Sequence, residues 1–170
     1  MHENRILIHK LKNFENINSN FLIVTLMLFG SILLAISAKV QVPFWPVPMT
    51  MQTFVIFLIG MTYSVRLSFA TVAFYLFQGA IGLPVFAAGG GVAYLVGPTA
   101  GYLYGMLFAS IVISYLANLG FSKTYFKATV SLLIGSAIIF SFGIIYLGYI
   151  IGFEKAVAAG LLPFIPSELF

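Results

Sequence analysis

The chain has 170 residues, of which 61% are apolar and only 7% charged, with a formal net charge of +4 and no cysteine. A soluble domain carries about 25% charged residues, and a water-facing surface cannot be built from roughly a third of that, so soluble globular, nucleic-acid-binding and disordered classes are excluded. What remains is an all-α integral membrane protein. Each helical span needs about 20 apolar residues, so the chain has room for at most six spans and no additional soluble domain.

Residues 1–20 form a polar tail with Arg5, Lys10 and Lys12 near the membrane, expected to be cytoplasmic, and residues 21–170 are expected to form a single polytopic membrane domain. The first span covers residues 21–38, an 18-residue apolar run ended by Lys39. It is longer than the 7 to 15 residues of a signal-peptide core, and further apolar segments follow it, so a span is preferred. Gln41 to Thr50 carries Pro43, Pro46 and Pro48 and reads as a stiff loop, because proline removes donors and fixes the backbone. Spans follow at 51–64, closed by Arg66, and at 67–81. Residues 82–99 form an uncharged loop rich in glycine and proline, including Gly89-Gly90-Gly91 and Gly97-Pro98-Thr99. A fourth span at 100–119, a polar turn with Lys123 and Lys127, and a fifth span at 128–151 come next. Glu154 and Lys155 mark a turn, and residues 156–170 begin a sixth, partial span.

With the N-terminus inside, the inner regions hold Arg5, Lys10, Lys12, Arg66, Lys123 and Lys127, against Lys39 and Lys155 outside. This bias favours that orientation. The proline-rich and glycine-rich loops then share the outer side. Small residues recur at Gly97, Gly101, Gly105 and Ala109, and again at Ser31, Ala35 and Ala38. Such stripes permit close helix approach. Packing within the chain is the simpler expectation for both, and docking of another membrane protein is the alternative.

The chemical inventory is narrow. Asp is absent, His2 and His9 lie in the polar tail, and the acids are Glu3, Glu15, Glu154 and Glu168. A Ser–His–Asp triad, a His-ligated metal centre or a paired-carboxylate site cannot be assembled from these residues, so no catalytic residue, metal or cofactor is expected. Irregular backbone at membrane depth is tolerated only where protein buries it or it lines a cavity, which makes the two uncharged outer loops the candidate binding region. The helix start at Pro98 to Gly101, with Thr99, would offer free N–H groups to an anion such as a carboxylate, or would simply be a capped end. Gln52 and Gln78 either serve a ligand or bond across helices. Glu168 is an intramembrane carboxylate and a functional candidate, or a solvated one. Trp45, Phe86, Tyr94 and Tyr102 are candidate aromatic walls.

Three runs, PVPMTMQT (Pro46 to Thr53), GAIGLPVFAAGGG (Gly79 to Gly91) and GPTAGYLYG (Gly97 to Gly105), together resemble the BioY family, the biotin-specific S-components of energy-coupling-factor vitamin transporters. The resemblance runs from about Phe21 to the last residue. It implies a six-helix bundle in the cell membrane with a cytoplasmic N-terminus and a biotin site beneath the outer loops. It also implies partnership with a transmembrane coupling protein and two ATPase subunits, whose ATP hydrolysis drives toppling and inward release. No Walker motif occurs here, so the ATPases would be separate chains. Ser31, Ala35 and Ala38 look like the family's small-residue motif toward the coupling protein. The family's last helix resembles Pro-Phe-x-Pro-Gly-Asp-x-x-Lys, whereas this chain reads Pro163-Phe164-Ile165-Pro166-Ser167-Glu168-Leu169-Phe170. Glu168 stands for the aspartate, and the sixth helix is expected to be truncated. The residues expected to bind substrate are Glu168, Gln52, Gln78, Phe86, Gly89, Gly90, Thr99 and Tyr102. Glu168 would accept ureido N–H bonds, and Gln52 or Gln78 would meet the ureido carbonyl. An S-component for another small vitamin, or a degenerate non-transporting membrane protein, are the alternatives.

Overall fold

The computed structural model describes residues 19–164. Seven helices and one small hairpin follow in order: α1 (Ser19–Lys39), β1 (Gln41–Val42), β2 (Met49–Thr50), α2 (Gln52–Thr62), α3 (Val65–Ala80), the single turn α4 (Val92–Leu95), α5 (Ala100–Asn118), α6 (Tyr125–Ile151) and α7 (Phe153–Gly160). Among them α1, α5 and α6 are long and apolar enough to cross a membrane. The 11 residues of α2 and 16 of α3 rise only about 16 and 24 Å at 1.5 Å per residue. Arg66, read from sequence as the end of the second segment, lies in the first turn of α3.

The bundle is organised around α5, which packs against α6, α2 and α3, while α1 lies against α3 and α2 and α7 lies against α6. Small residues make these approaches. A Cβ on Gly101 would stand 2.5 Å from the Phe142 carbonyl oxygen, and one on Gly105 would stand 2.8 Å from the Ile139 Cα. The α5 stripe is therefore consumed inside the chain, where dispersion between close backbones holds helices together in lipid. Gly97 does not belong to it, because α5 begins at Ala100.

The α1 stripe is also turned inward, against α3, in this conformation. Ser31 is 1% and Ala38 0% exposed, Ala35 is partly buried against the core, and a Cβ on the neighbouring Gly30 would strike Thr71 of α3. The outward face of α1 carries Phe21, Val24, Leu28, Ile32 and Ile36 instead. Side chains of this size suit hydrocarbon, as exposed surfaces of a membrane protein must.

The proline-rich segment is a hairpin and not merely an irregular loop. Gln41 pairs with Thr50 and Val42 with Met49, and the three prolines lie between the strands, where no ladder donor is lost. Its tip exposes Trp45, at 86%. At the other end of the bundle Gly120 closes α5 with a left-handed φ of 93°. The α6–α7 break falls at Gly152, whose φ of 89° a side chain would resist.

Candidate functional site

The hairpin and the long 82–99 loop converge on the N-terminal end of α5. Between them lies a cavity lined by Val47, Pro48, Met49, Thr50, Gln52, Thr53, Ala87, Tyr94, Thr99, Tyr102, Leu103, Met106, Ile139, Phe140 and Phe164. Its enclosed volume is about 50 Å³, within about 570 Å³ of atom-free space that includes open solvent. The lining is mostly apolar and aromatic, with polar groups from Thr50, Gln52, Thr53 and Thr99.

Each aromatic wall is locked by its own support. The Tyr102 ring covers Gly143 of α6, where a Cβ would collide with it, and its hydroxyl donates to the Gly160 carbonyl at 2.8 Å. Phe164 stacks on Tyr102 with centroids 6.3 Å apart and meets Phe140 edge-on at 5.8 Å. Tyr94 stacks on Phe86 at 4.9 Å.

Gln52 is the buried polar centre, 4% exposed. Its Nε2 donates to the Tyr75 hydroxyl at 2.8 Å and its Oε1 accepts from Thr50 Oγ1 at 3.1 Å. Tyr75 in turn donates to the Val85 carbonyl at 3.0 Å. An amide oxygen has two lone pairs and an amide nitrogen two protons, so Gln52 is held in place while keeping one acceptor and one donor position for a ligand.

Of the residues expected at the site, Gln52, Thr99 and Tyr102 line the cavity together. Phe86 does not. Its ring is fully buried, wedged onto Gly79 and edge-on to Tyr75 at 5.4 Å, so it acts as a buttress behind Tyr94. Gln78 is likewise absent from the lining. Its Oε1 is buried with no hydrogen-bond partner among the described residues. Gly89 and Gly90 shape the loop and do not line the space. Phe86 and Gly89 exchange two backbone bonds of 2.9 and 3.2 Å, and Gly89 has a φ of 139°. Gly90 lies so close to the Leu83 carbonyl that a Cβ would overlap it. The helix start is less open to an anion than expected, since the Ala100 N–H already bonds the Gly97 carbonyl at 3.0 Å and Pro98 precedes the helix. Thr99 makes no side-chain cap bond, which leaves its hydroxyl for the cavity. Trp45 stands away at the hairpin tip, and Glu168 lies outside the described residues.

Sequence reasoning passed over Thr50, Thr53, Phe140 and Phe164 as lining, and Tyr75 as the support of Gln52. Thr50 and Thr53 lie within the PVPMTMQT run, so that motif held a signal. Phe140 and Phe164 are two among 18 phenylalanines, and nothing in their spacing distinguishes them.

A cavity between the proline-rich and glycine-rich loops thus caps one end of a bundle of apolar helices, the architecture of a polytopic membrane protein. The BioY family model matches residues 10–170, and the chain belongs to that family. A probable biotin transporter BioY of Rickettsia prowazekii is 34% identical over 163 residues, covering 95% of this chain and 84% of the relative. The biotin transporter BioY of Thermotoga maritima is 38% identical over 139 residues, 81% of each chain. The crystal structure of the S-component for biotin from an ECF-type ABC transporter superposes with a TM-score of 0.78 at 25% identity, covering 90% of this chain and 86% of the other.

Proposed function

We propose that this chain is the substrate-specific subunit of a biotin importer, without enzymatic activity of its own, and that it captures biotin in the cavity between the hairpin, the 82–99 loop and α5. The observation that carries the reading is the pairing of one buried, pre-positioned amide, Gln52, with aromatic walls from Tyr94, Tyr102, Phe140 and Phe164. Biotin presents matching chemistry: a ureido ring with two N–H donors and a carbonyl, an apolar thiophane and chain, and a carboxylate. Gln52 meets the ureido group, the aromatic walls enclose the apolar body, and the Thr99 hydroxyl at the start of α5 meets the carboxylate. Glu168 supplies a second, charged acceptor for ureido N–H groups. In support, Phe164, four residues before it in sequence, lines the cavity.

The N-terminus faces the cytoplasm in this reading, which the six inner against two outer basic residues support. The site then opens outward in the cell membrane. Delivery inward uses a transmembrane coupling protein and two ATPase subunits, a reading supported by the likeness to the S-component of an ECF-type ABC transporter. The test is calorimetric titration of biotin into the purified protein, alongside riboflavin and thiamine. Saturable submicromolar biotin binding with neither competitor binding is the expected result. Binding of another vitamin, or of none, overturns the proposal.

A further inference from the structure

Three consecutive carbonyls in the 82–99 loop accept hydrogen bonds from side chains of three different elements. Tyr75 Oη of α3 donates to Val85 at 3.0 Å, Lys39 Nζ of α1 to Phe86 at 2.6 Å, and Gln41 Nε2 of β1 to Ala87 at 3.4 Å. Lys39 is the charged member of the set and the last residue of α1. A lysine at this place would ordinarily be an interfacial anchor, or would complement the carbonyls at its own helix end. Here its ammonium reaches a carbonyl 47 positions along the chain.

That carbonyl is well placed to govern the cavity. The Phe86 ring is 0% exposed, seated on Gly79 and stacked under the cavity wall Tyr94. The next residue, Ala87, lines the cavity directly. Moving the Phe86 backbone therefore moves two walls at once. The 82–99 loop itself contains no charged residue, so it has no ion pair of its own to hold it down. An increase of about 1 Å over the 2.6 Å between the ammonium and the Phe86 oxygen would carry the Lys39 contact past hydrogen-bonding range.

We propose that Lys39 is a positioning residue, tying the outer end of α1 to the loop over the ligand cavity so that the placement of α1 sets how readily the loop opens and the ligand escapes. This rests on the reading of the cavity as a biotin site. Lys39 does not touch the ligand. It acts through the Phe86 carbonyl.

The experiment compares wild type with Lys39→Met, which keeps an apolar stem and removes the donor, and Lys39→Arg, which restores a charged donor. Two readouts are taken on the full chain in lipid nanodiscs. One is the dissociation rate of radiolabelled biotin chased with unlabelled biotin. The other is the maleimide labelling rate of Ala87→Cys without ligand, a unique thiol because the chain has no cysteine. A charge-assisted hydrogen bond removed from a partly exposed latch should raise both rates about tenfold, and Lys39→Arg should return both to within threefold of wild type. If Lys39→Met fails to fold, Lys39→Leu, which also lacks a donor, is read in the same two assays. Unchanged rates overturn the proposal, as does acceleration that Lys39→Arg fails to reverse. The two readings fail separately: no biotin binding by wild type sinks the ligand assignment, whereas labelling still reports on the tether.

Discussion

Replacing Gly79 by alanine tests the support behind the cavity most directly. A Cβ there would stand 2.7 Å from Phe86 Cε1 and closer still to Cζ and Cε2, well inside carbon–carbon contact of about 3.5 to 4.0 Å. The obstacle is the end of a rigid ring with no exposed surface, so it cannot swing into solvent. It must leave its edge contact with Tyr75 and its stack with Tyr94, each worth about 0.5 to 1.5 kcal/mol. Overpacking of a full site adds about 1 to 3 kcal/mol. The total, about 2 to 6 kcal/mol, is divided between destabilising the bundle and displacing the Tyr94 wall. Thermal unfolding in detergent should show a lowered midpoint, and calorimetry should show biotin affinity reduced at least tenfold. The double variant Gly79→Ala with Phe86→Leu, which removes the ring edge, should recover part of the stability. An unchanged midpoint with affinity within twofold of wild type would show that Phe86 is not the buttress described.

Gly90→Val should weaken biotin binding with little loss of helical structure, because the new side chain would overlap the Leu83 carbonyl within the loop alone; unchanged affinity in the same titration would make the loop a spacer. Gln52→Leu should cost roughly 10- to 100-fold in affinity, since it removes the only side-chain amide among the described lining residues and takes from Thr50 and Tyr75 their bonds to it; a loss below threefold would move the ureido contact elsewhere. Gly105→Leu should abolish recovery of monodisperse protein, because the Ile139 Cα would lie 2.8 Å from its Cβ; normal gel-filtration behaviour would contradict the α5–α6 seam. Glu168→Gln replaces a charged acceptor worth about 1.5 to 3 kcal/mol, so biotin affinity at pH 7 should fall roughly 10- to 150-fold, and a change under twofold would mean that Glu168 is merely solvated.

Composition was enough to reveal a membrane bundle, because a charge fraction of 7% leaves no material for a water-facing surface. The two loops were legible as cavity-lining for a related reason: uncharged, proline- and glycine-rich backbone needs protein or a cavity around it. Assigning individual side chains was harder. Gln52 and Gln78 read alike in sequence, as lone amides beside apolar helices. Their difference is tertiary, since Tyr75 and Thr50 hold Gln52 in the cavity lining, whereas Gln78 is not part of that lining. Phe86 reads in sequence as an aromatic wall but is the buttress behind one, because whether a ring faces the cavity or backs another ring depends on the small residue across from it, here Gly79, and no local pattern carries that.

The stripe on α1 shows why hydropathy cannot orient a span. In a water-soluble helix the polar face points outward, so one periodicity supplies both the helix and its direction. In α1 both faces are apolar: the inward one presents Ser31, Leu34 and Ala38, and the outward one Leu28, Ile32 and Ile36. Only side-chain size distinguishes them, because close backbone approach, and not exclusion from water, rewards a helix contact in lipid. Small residues therefore mark a contact without saying with whom. In this conformation the contact is with α3, where Gly30 abuts Thr71, and with the end of α2, where the Tyr63 hydroxyl donates to the Leu26 carbonyl at 2.9 Å. A partner helix approaching α1 from the bilayer would first meet isoleucine, leucine and phenylalanine. It could reach Ser31 and Ala38 only after α1 had rotated or separated from α3, and such a movement would also carry Lys39, at the end of the same helix, away from the Phe86 carbonyl.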